Sequence, residues 1–471
     1  MLIMVVSVVL LTLIFRGTNA TSSELQKTYT GWQVLQVELK KRPKDNKLFE
    51  DFLDLEKDTY SMQLLGKNRN RGVAEVAVSP QTLTDFTHFL TINNITFTSV
   101  VDDLGNKIES TGASERAEYF LNGDVTFDRY MNHDEIISYL ELLPRQYPHL
   151  VKLTVAGRSV EGRPLHLLTI TSSHSSTKPV IFIDGGDNII LPTLFLGSFR
   201  CLYLPYVMSF QCASGIHARE WISPAAALNV VGHLLQTPKL TRNLEWKVMP
   251  LINPDGYIYS WTKDRLWRKN RAWTQSASCV GVDLNRNFDF HWGEAGSSDR
   301  PCSPEYIGSQ AFSEPETRTL RDILLRDYNR TQAFVSIHSY GQAILHPWSY
   351  TTTATRSNAG RLERVGKDMV ESIFSGERVS YIAGTFGELF YTVSGTSGDY
   401  AAGVGEIPLV YTLELRDTGA AGFILPKELI IPTVNDAWLA IEYLANHVIA
   451  SDLVASELAR SQKQQRRPWL R

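Results

Sequence analysis

GIHAREW, residues 215–221, sets an imidazole (His217) and a carboxylate (Glu220) three positions apart directly behind an apolar stretch, a spacing at which both can reach one metal ion. An HxxE pair arises often by chance, and taken alone it reads as a surface turn carrying two polar residues. Its meaning depends on a third ligand and a base elsewhere. His338 supplies the first, at the polar end of the apolar run Ala333–Ile337, because α/β sheets carry functional groups at the carboxyl ends of central strands. Two imidazoles and one carboxylate leave a fourth position open, the pattern of a catalytic zinc site rather than a closed structural one. Glu414 is the candidate base, since it interrupts the apolar strand Leu409–Leu415, where a lone carboxylate is costly to bury. An ion pair with Arg416 is the alternative, although residues two apart in a strand share a face, so both could also point into one pocket.

Composition bounds the reading from outside. The 471 residues fit two to three domains, and 43% hydrophobic content marks a globular protein. A formal charge of -3 gives no electrostatic reason for a nucleic acid or an acidic membrane surface as partner, which leaves a small or peptidic ligand. Residues 1–20 join an apolar block to Thr18-Asn19-Ala20 and read as a cleaved secretory signal. That block falls short of the roughly 20 residues that span a bilayer, and Arg16 interrupts it. Secretion into an oxidising compartment follows, with Cys201, Cys212, Cys279 and Cys302 allowing at most two bridges. Sequons at Asn94 and Asn329 are compatible with it.

Along the chain, residues 21–116 alternate strand-like and helix-like patterns in the order β-α-β-β-α-β, over Trp32–Leu39, Asn46–Leu55, Tyr60–Leu65, Val73–Val78, Gln81–Leu90 and Thr96–Leu104. This is a small α+β open sandwich, one sheet face under two helices. A polar stretch, Gly105–Glu118, reads as a linker with Lys107 and Arg116 as basic cleavage points, or as an ordinary loop that is never cut. Residues 117–450 form a second unit, with runs at Leu165–Thr171, Val180–Ile183, Lys247–Ile252, Ala333–Ile337 and Leu409–Leu413 that are apolar on both faces. Such runs are central strands covered on both sides, so with helices at Pro224–Gln236, Ala359–Phe374 and Thr433–Ile449 the expectation is an α/β fold, a mixed central sheet flanked by helices. Ser223-Pro224 reads as a helix start. The tail, 451–471, is polar and basic, a short helical extension and then disorder.

Seven ordered pieces then resemble the carboxypeptidase A/B family of secreted zinc metallocarboxypeptidases, which are made as proenzymes. They are GIHAREW at 215–221, NPDGY at 253–257, RLWRKNR at 265–271, CVGVDLNRNF at 279–288, SIHSY at 336–340, LELRDTG at 413–419 and IIPT at 430–433. The resemblance implies His217, Glu220 and His338 as ligands of one Zn2+, Glu414 as general base and proton shuttle, and Arg268 as the clamp on the scissile carbonyl. It implies Asn285 and Arg286 as the anchor for a substrate's C-terminal carboxylate, Tyr391 as the tyrosine that closes over it, and Arg219, Ser339 and Tyr340 as further substrate contacts. Gly398 falls where an aliphatic residue marks A-type enzymes and an aspartate marks B-type ones. With neutral Ser336, Leu345, Ser349, Val393 and Thr412 as remaining wall, apolar or aromatic C-terminal residues are expected, unless a one-residue shift brings Asp399 into the pocket and favours basic ones. Cys279 and Cys302 match a disulfide, and 21–116 match an inhibitory propeptide released by a trypsin-like protease, with Arg116 the preferred site. Peptide and protein C-termini are the implied substrates.

One departure stands against this pattern. The family runs IDGGIHAREW without a gap, whereas here the 29 residues 187–215 separate Asp184-Gly185-Gly186 from Ile216-His217. The block is apolar, holds Cys201 and Cys212, and matches nothing in the family. It reads as a translated intron, as a genuine loop, or as an insertion that disables the site and leaves a peptide-binding protein.

Overall fold

The computed structural model describes residues 26–40, 46–56, 61–68, 70–111, 129–172, 180–182, 209–327 and 329–465. The expected signal at 1–20, the cleavage point Arg116 and the end of the basic tail lie outside these residues. The amino-terminal pattern folds in the expected order. Strands β1 (Gln33–Glu38), β2 (Met62–Asn68), β3 (Val73–Val78) and β4 (Phe97–Val101) form a sheet of order β2-β3-β1-β4, with helices at Lys47–Glu56 and Pro80–Ile92. Alternation along β1 sorts its side chains. Leu35 and Val37 pack with Phe49, Leu53, Phe86 and Leu90 under the helices, while Val34 joins Leu65, Ala77 and Val101 against Leu266, Phe423 and Ile424 of the second unit. Both faces of the small sheet are therefore covered, each buried side chain contributing ~1.5–3 kcal/mol.

The linker is more ordered at its start than composition suggests. Leu104–Glu109 is a helix, because Asp103 caps it by accepting from the Asn106 N–H at 3.1 Å, and Leu104 and Ile108 pack into the interface between the two units. Residues 112–128 lie outside the described ones.

The second unit is built on a nine-stranded mixed sheet: β5 (Val151–Arg158), β6 (Pro164–Ile170), β7 (Val180–Phe182), β8 (Ser209–Ser214), β9 (Glu245–Met249), β10 (Thr331–Ser339), β11 (Ala343–His346), β12 (Ile382–Thr385) and β13 (Leu409–Leu415). Its order is β12-β11-β13-β10-β7-β8-β9-β6-β5. Helices Ile222–Gln236, Ala359–Glu377 and Ile430–Gln465 lie against it. Adjacent residues of β10 divide between two cores, Val335 and Ile337 packing with Leu228, Met369 and Leu444, and Phe334 with Ile252, Leu284 and Tyr400. Strands buried on both faces read as continuous apolar runs for this reason. Among the described residues no helix is long and apolar enough to cross a membrane.

The helix expected to start at Ser223-Pro224 begins at Ile222, with Trp221 as an N-cap whose side chain makes no capping bond. Pro224 thus sits in the first turn, where its missing N–H belongs to the donors that have no helical acceptor anyway.

Candidate metal and catalytic site

The loop carrying GIHAREW is pinned by two of the other motifs. Asn253 of NPDGY donates from its backbone to the Gly215 carbonyl at 3.2 Å and from Nδ2 to the Ile216 carbonyl at 3.2 Å, and the Ala218 N–H donates to the Arg268 carbonyl at 3.1 Å. Gly215 has φ +70, and a Cβ there would lie 3.0 Å from the Pro250 carbonyl oxygen, so the position requires glycine. This fixed turn aims His217 and Glu220 at the end of β10, where His338 sits. β10 and β13 run parallel with His338 opposite Glu414, so one step of register places the expected ligand and the expected base side by side at the carboxyl end of the sheet.

His217 Nδ1 lies 2.7 Å from Glu220 Oε1 and His338 Nδ1 lies 3.1 Å from Glu220 Oε2. One donor atom from each of these three buried residues falls within 4.8 Å of the others, the grouping that can hold a metal ion. Each outer ring nitrogen is occupied as well: His217 Nε2 lies 3.1 Å from Asp283 Oδ1, and His338 Nε2 lies 2.9 Å from Ser336 Oγ. Partners of that kind fix a ring's orientation and leave Nδ1 for a metal. The Ser339 N–H donates to Glu220 Oε2 at 3.3 Å, steadying the carboxylate between the rings. Burial pushes the Glu220 carboxyl upward, but the charges and hydrogen bonds of His217 and His338 outweigh it and hold the group below the usual carboxylate range.

Asp283 is the residue that the motif CVGVDLNRNF contained without revealing its part. Fully buried, it accepts from Arg268 Nε at 2.9 Å, lies 3.8 Å from a terminal nitrogen of Arg286, and faces His217. Burial favours its neutral form, yet Arg268, Arg286 and His217 together keep it ionised, well below its ordinary pKa. In return it fixes both guanidinium groups. Arg286 also donates to the carbonyls of Gly296 and Asn285, each at 3.0 Å, and points a terminal nitrogen at the Tyr391 hydroxyl at 3.5 Å. Asn285 is held through its Oδ1 by the Ser397 N–H at 2.9 Å.

Glu414 is buried and its carboxyl is held well above the usual range, first by burial, then by the charge of Glu220, with Arg268 opposing. It makes no pair with Arg416. That guanidinium binds Asp436 through two bonds of 2.6 and 2.8 Å, because β13 ends at Leu415 and the two-residue alternation stops there. Neither sequence alternative for Arg416 therefore holds.

His217, Glu220, His338, Glu414, Arg268 and Arg286 line one cavity, joined there by Asn285, Ser339, Tyr340, Tyr391, Val393 and Thr412. Arg219 lies beside it, its NH2 donating to the Leu65 carbonyl of β2 at 3.1 Å and its guanidinium 4.1 Å over the Phe423 ring. Asp399 is spent elsewhere, accepting from the Ser349 and Tyr350 N–H groups at 2.9 and 3.0 Å and from Ser349 Oγ. Gly398 faces the Thr412 hydroxyl, 3.7 Å from where a Cβ would stand. The expected bridge between Cys279 and Cys302 is present.

A mixed sheet carrying a two-histidine, one-carboxylate cluster, a buried second carboxylate and fixed arginines at its strand ends defines a metal-dependent hydrolase. Comparison with known proteins narrows the class. The zinc carboxypeptidase family model matches residues 136–187 and 208–440, so the match resumes inside the block 187–215, and residues 208–215 are, contrary to expectation, not foreign to the family. Carboxypeptidase B of Astacus astacus is 36% identical over 324 residues, 68% of this chain and 97% of its own, and human mast cell carboxypeptidase A is 30% identical over 366 residues, 76% of this chain and 79% of its own. The crystal structure of carboxypeptidase A from Helicoverpa armigera superposes with a TM-score of 0.76 at 28% identity, covering 90% of this chain and 99% of that one. The chain belongs to the zinc carboxypeptidase family and is a metallocarboxypeptidase of the A/B kind.

Proposed function

We propose that this protein is a secreted carboxypeptidase zymogen that removes single residues from peptide C-termini and prefers apolar or aromatic ones. The observation that carries the reading is the sharing of one cavity by the histidine-carboxylate cluster, Glu414, Arg268 and Arg286. His217, Glu220 and His338 would hold Zn2+, and their buried nitrogen and oxygen donors with occupied outer nitrogens fit it. When bound, the ion polarises the scissile carbonyl and acidifies water.

The remaining steps belong to this chain's own groups. Arg286, with Asn285 beside it, forks onto the substrate's terminal carboxylate, and Tyr391 closes against it. Arg268, immobilised by Asp283, directs positive charge at the oxyanion that develops on the carbonyl, a contribution of a few kcal/mol. A Glu414 carboxylate oxygen takes a proton from the attacking water and passes it to the leaving nitrogen.

The pocket walls favour neutral side chains. Gly398 brings no charge, Asp399 is turned to the backbone at 349–350, and Ser336, Leu345, Ser349, Val393 and Thr412 are uncharged. Relatives bearing both A and B names match, so the pocket has to carry this argument.

Residues 21–116 serve as the inhibitor. β2 and β3 lie on the cleft, where the Leu65 carbonyl occupies Arg219 and the Tyr340 hydroxyl donates to Glu75. A cut by a trypsin-like protease after Arg116 frees the cleft. The test is release of C-terminal Phe and Lys from matched peptides before and after trypsin treatment, with zinc present. Faster release of Phe after treatment supports the reading; faster release of Lys overturns the preference, and undiminished activity before treatment overturns the zymogen.

A further inference from the structure

RLWRKNR brings Arg268 to the cavity, and two places further on it holds Asn270, a fully buried amide. The Asn270 N–H donates to the Val282 carbonyl at 3.1 Å, and its Oδ1 accepts from the Val282 N–H at 2.8 Å and the Ala272 N–H at 3.2 Å. Its carbonyl accepts from Trp267 Nε1 at 3.2 Å. Asn270 is thus bonded in both directions to Val282, the residue directly before Asp283.

The donor end of the amide is held as well. Nδ2 donates to Glu314 Oε2 at 2.6 Å and lies 3.3 Å from Glu316 Oε2, both at the start of the helix Pro315–Arg326. Burial and the charge of Glu314 push Glu316 up to about 8, so this second acceptor keeps its proton at neutral pH and adds no charge. An amide has both a donor and an acceptor end, which is what joining two N–H groups to a carboxylate requires. On its other side the Arg268 loop is tied to the turn of His217, the Arg268 carbonyl accepting from Ala218 and the Lys269 carbonyl from Asn253 Nδ2 at 3.0 Å.

We propose that Asn270 is a positioning residue for Arg268: by locking Val282 it sets the Arg268 loop against Asp283 and so aims the guanidinium. The proposal rests on the role given above to Arg268 as the clamp on the scissile carbonyl. Buried amides commonly serve stability alone. Asn270 differs in where its bonds fall, beside both partners of one ion pair. Arg268 meets Asp283 through Nε at 2.9 Å and a terminal nitrogen at 2.8 Å, and that two-point contact needs both loops in register.

The test uses the full chain after trypsin treatment, with zinc, on whichever peptide, ending in Phe or in Lys, the unaltered protein cleaves faster. Asn270→Asp keeps the acceptor and loses the donor, and Asn270→Ala loses both. Each should lower kcat at least about tenfold, since misplacing a catalytic group by about 1 Å costs up to about a hundredfold. Zinc content should be unchanged and KM should stay within about twofold, because Arg286 has its own bonds to the carbonyls of Gly296 and Asn285. Adding Glu314→Gln to Asn270→Asp exchanges donor and acceptor across one contact and should return kcat to within about threefold of the unaltered protein. In an Arg268→Ala background, neither Asn270 substitution should lower kcat by more than about another twofold, as expected for residues acting through one group. If Arg268→Ala alone leaves kcat intact, the clamp reading itself is wrong and the proposal falls with it. If Arg268→Ala is slow, the proposal alone fails on any of four results: the Asn270 variants keep their kcat, their effects multiply with that of Arg268→Ala, the exchange restores nothing, or neither Asn270 variant folds.

Discussion

On the proposed specificity, replacing Gly398 by aspartate should shift the preference from apolar toward basic C-termini. The backbone accepts the change, since Gly398 lies in the helix Ser397–Gly403 and is not among the glycines with positive φ. So does the space: a Cβ would stand 3.7 Å from Thr412 Oγ1 and 3.9 Å from Val410 Cγ1, ordinary contact distances. The new carboxylate would enter a neutral wall, because Asp399 is already bonded to the backbone at 349–350. A charge-assisted hydrogen bond to a substrate ammonium or guanidinium contributes about 1.5–3 kcal/mol, or roughly 10- to 150-fold in kcat/KM. Seating an aromatic ring against an unpaired, desolvated carboxylate costs a similar amount. The ratio of kcat/KM for peptides ending in Lys to that for peptides ending in Phe should therefore rise by at least about a hundredfold. The assay is release of the terminal residue by trypsin-treated Gly398→Asp and unaltered protein under first-order conditions. A change of less than about threefold in that ratio would refute the placement of Gly398 at the specificity pocket.

Other expectations concern the anchor, the bridge and one buried acid. Arg286→Ala should lower kcat/KM by about 3 kcal/mol, roughly 150-fold, for peptides with a free C-terminal carboxylate, and leave the affinity for C-terminally amidated peptides unchanged. Cys279→Ser with Cys302→Ser opens a bridge of sequence separation 23, which the loop-entropy relation values at about 3 kcal/mol in a urea titration. Glu316 is fully buried beside Glu314, and burial and that charge raise its pKa to about 8. A carboxyl raised in the folded state stabilises fully below its unfolded pKa near 4.5, and that stability is lost as pH climbs through about 8. Glu316→Gln should thus match the unaltered protein in melting temperature at pH 5 and exceed it at pH 8.5; equal melting temperatures at both would contradict the assignment.

The parts of the fold legible in the sequence were those in which both faces or one full stripe are buried. The run at Leu409–Leu415 and the helix at Ala359–Glu377 show this, as does the alternation that ordered residues 33–101. Short strands such as β11, four residues long, leave too few positions for a period to declare itself. The members of the histidine-carboxylate cluster and Glu414 stood out because each interrupts an apolar run or sits at its end. Asp283 was not, since an aspartate between valine and leucine in a loop looks like solvated surface, and only the folded chain brings His217, Arg268 and Arg286 around it. Arg416 misled for the opposite reason: alternation was extended one residue past the end of the strand. The contact of Glu75 with Tyr340 joins residues 265 positions apart and had no local signature.

The central place of Asp283 carries a consequence for how such a site can change. A single carboxylate holds His217, Arg268 and Arg286, so the three roles proposed for them stand on common ground. Altering it would loosen all of them together, with no partial benefit to select. Variation in what the enzyme accepts is thereby pushed to the opposite wall, to uncharged positions such as Gly398 that touch none of this framework. Diversity of appetite and constancy of chemistry follow from the same arrangement of one buried charge.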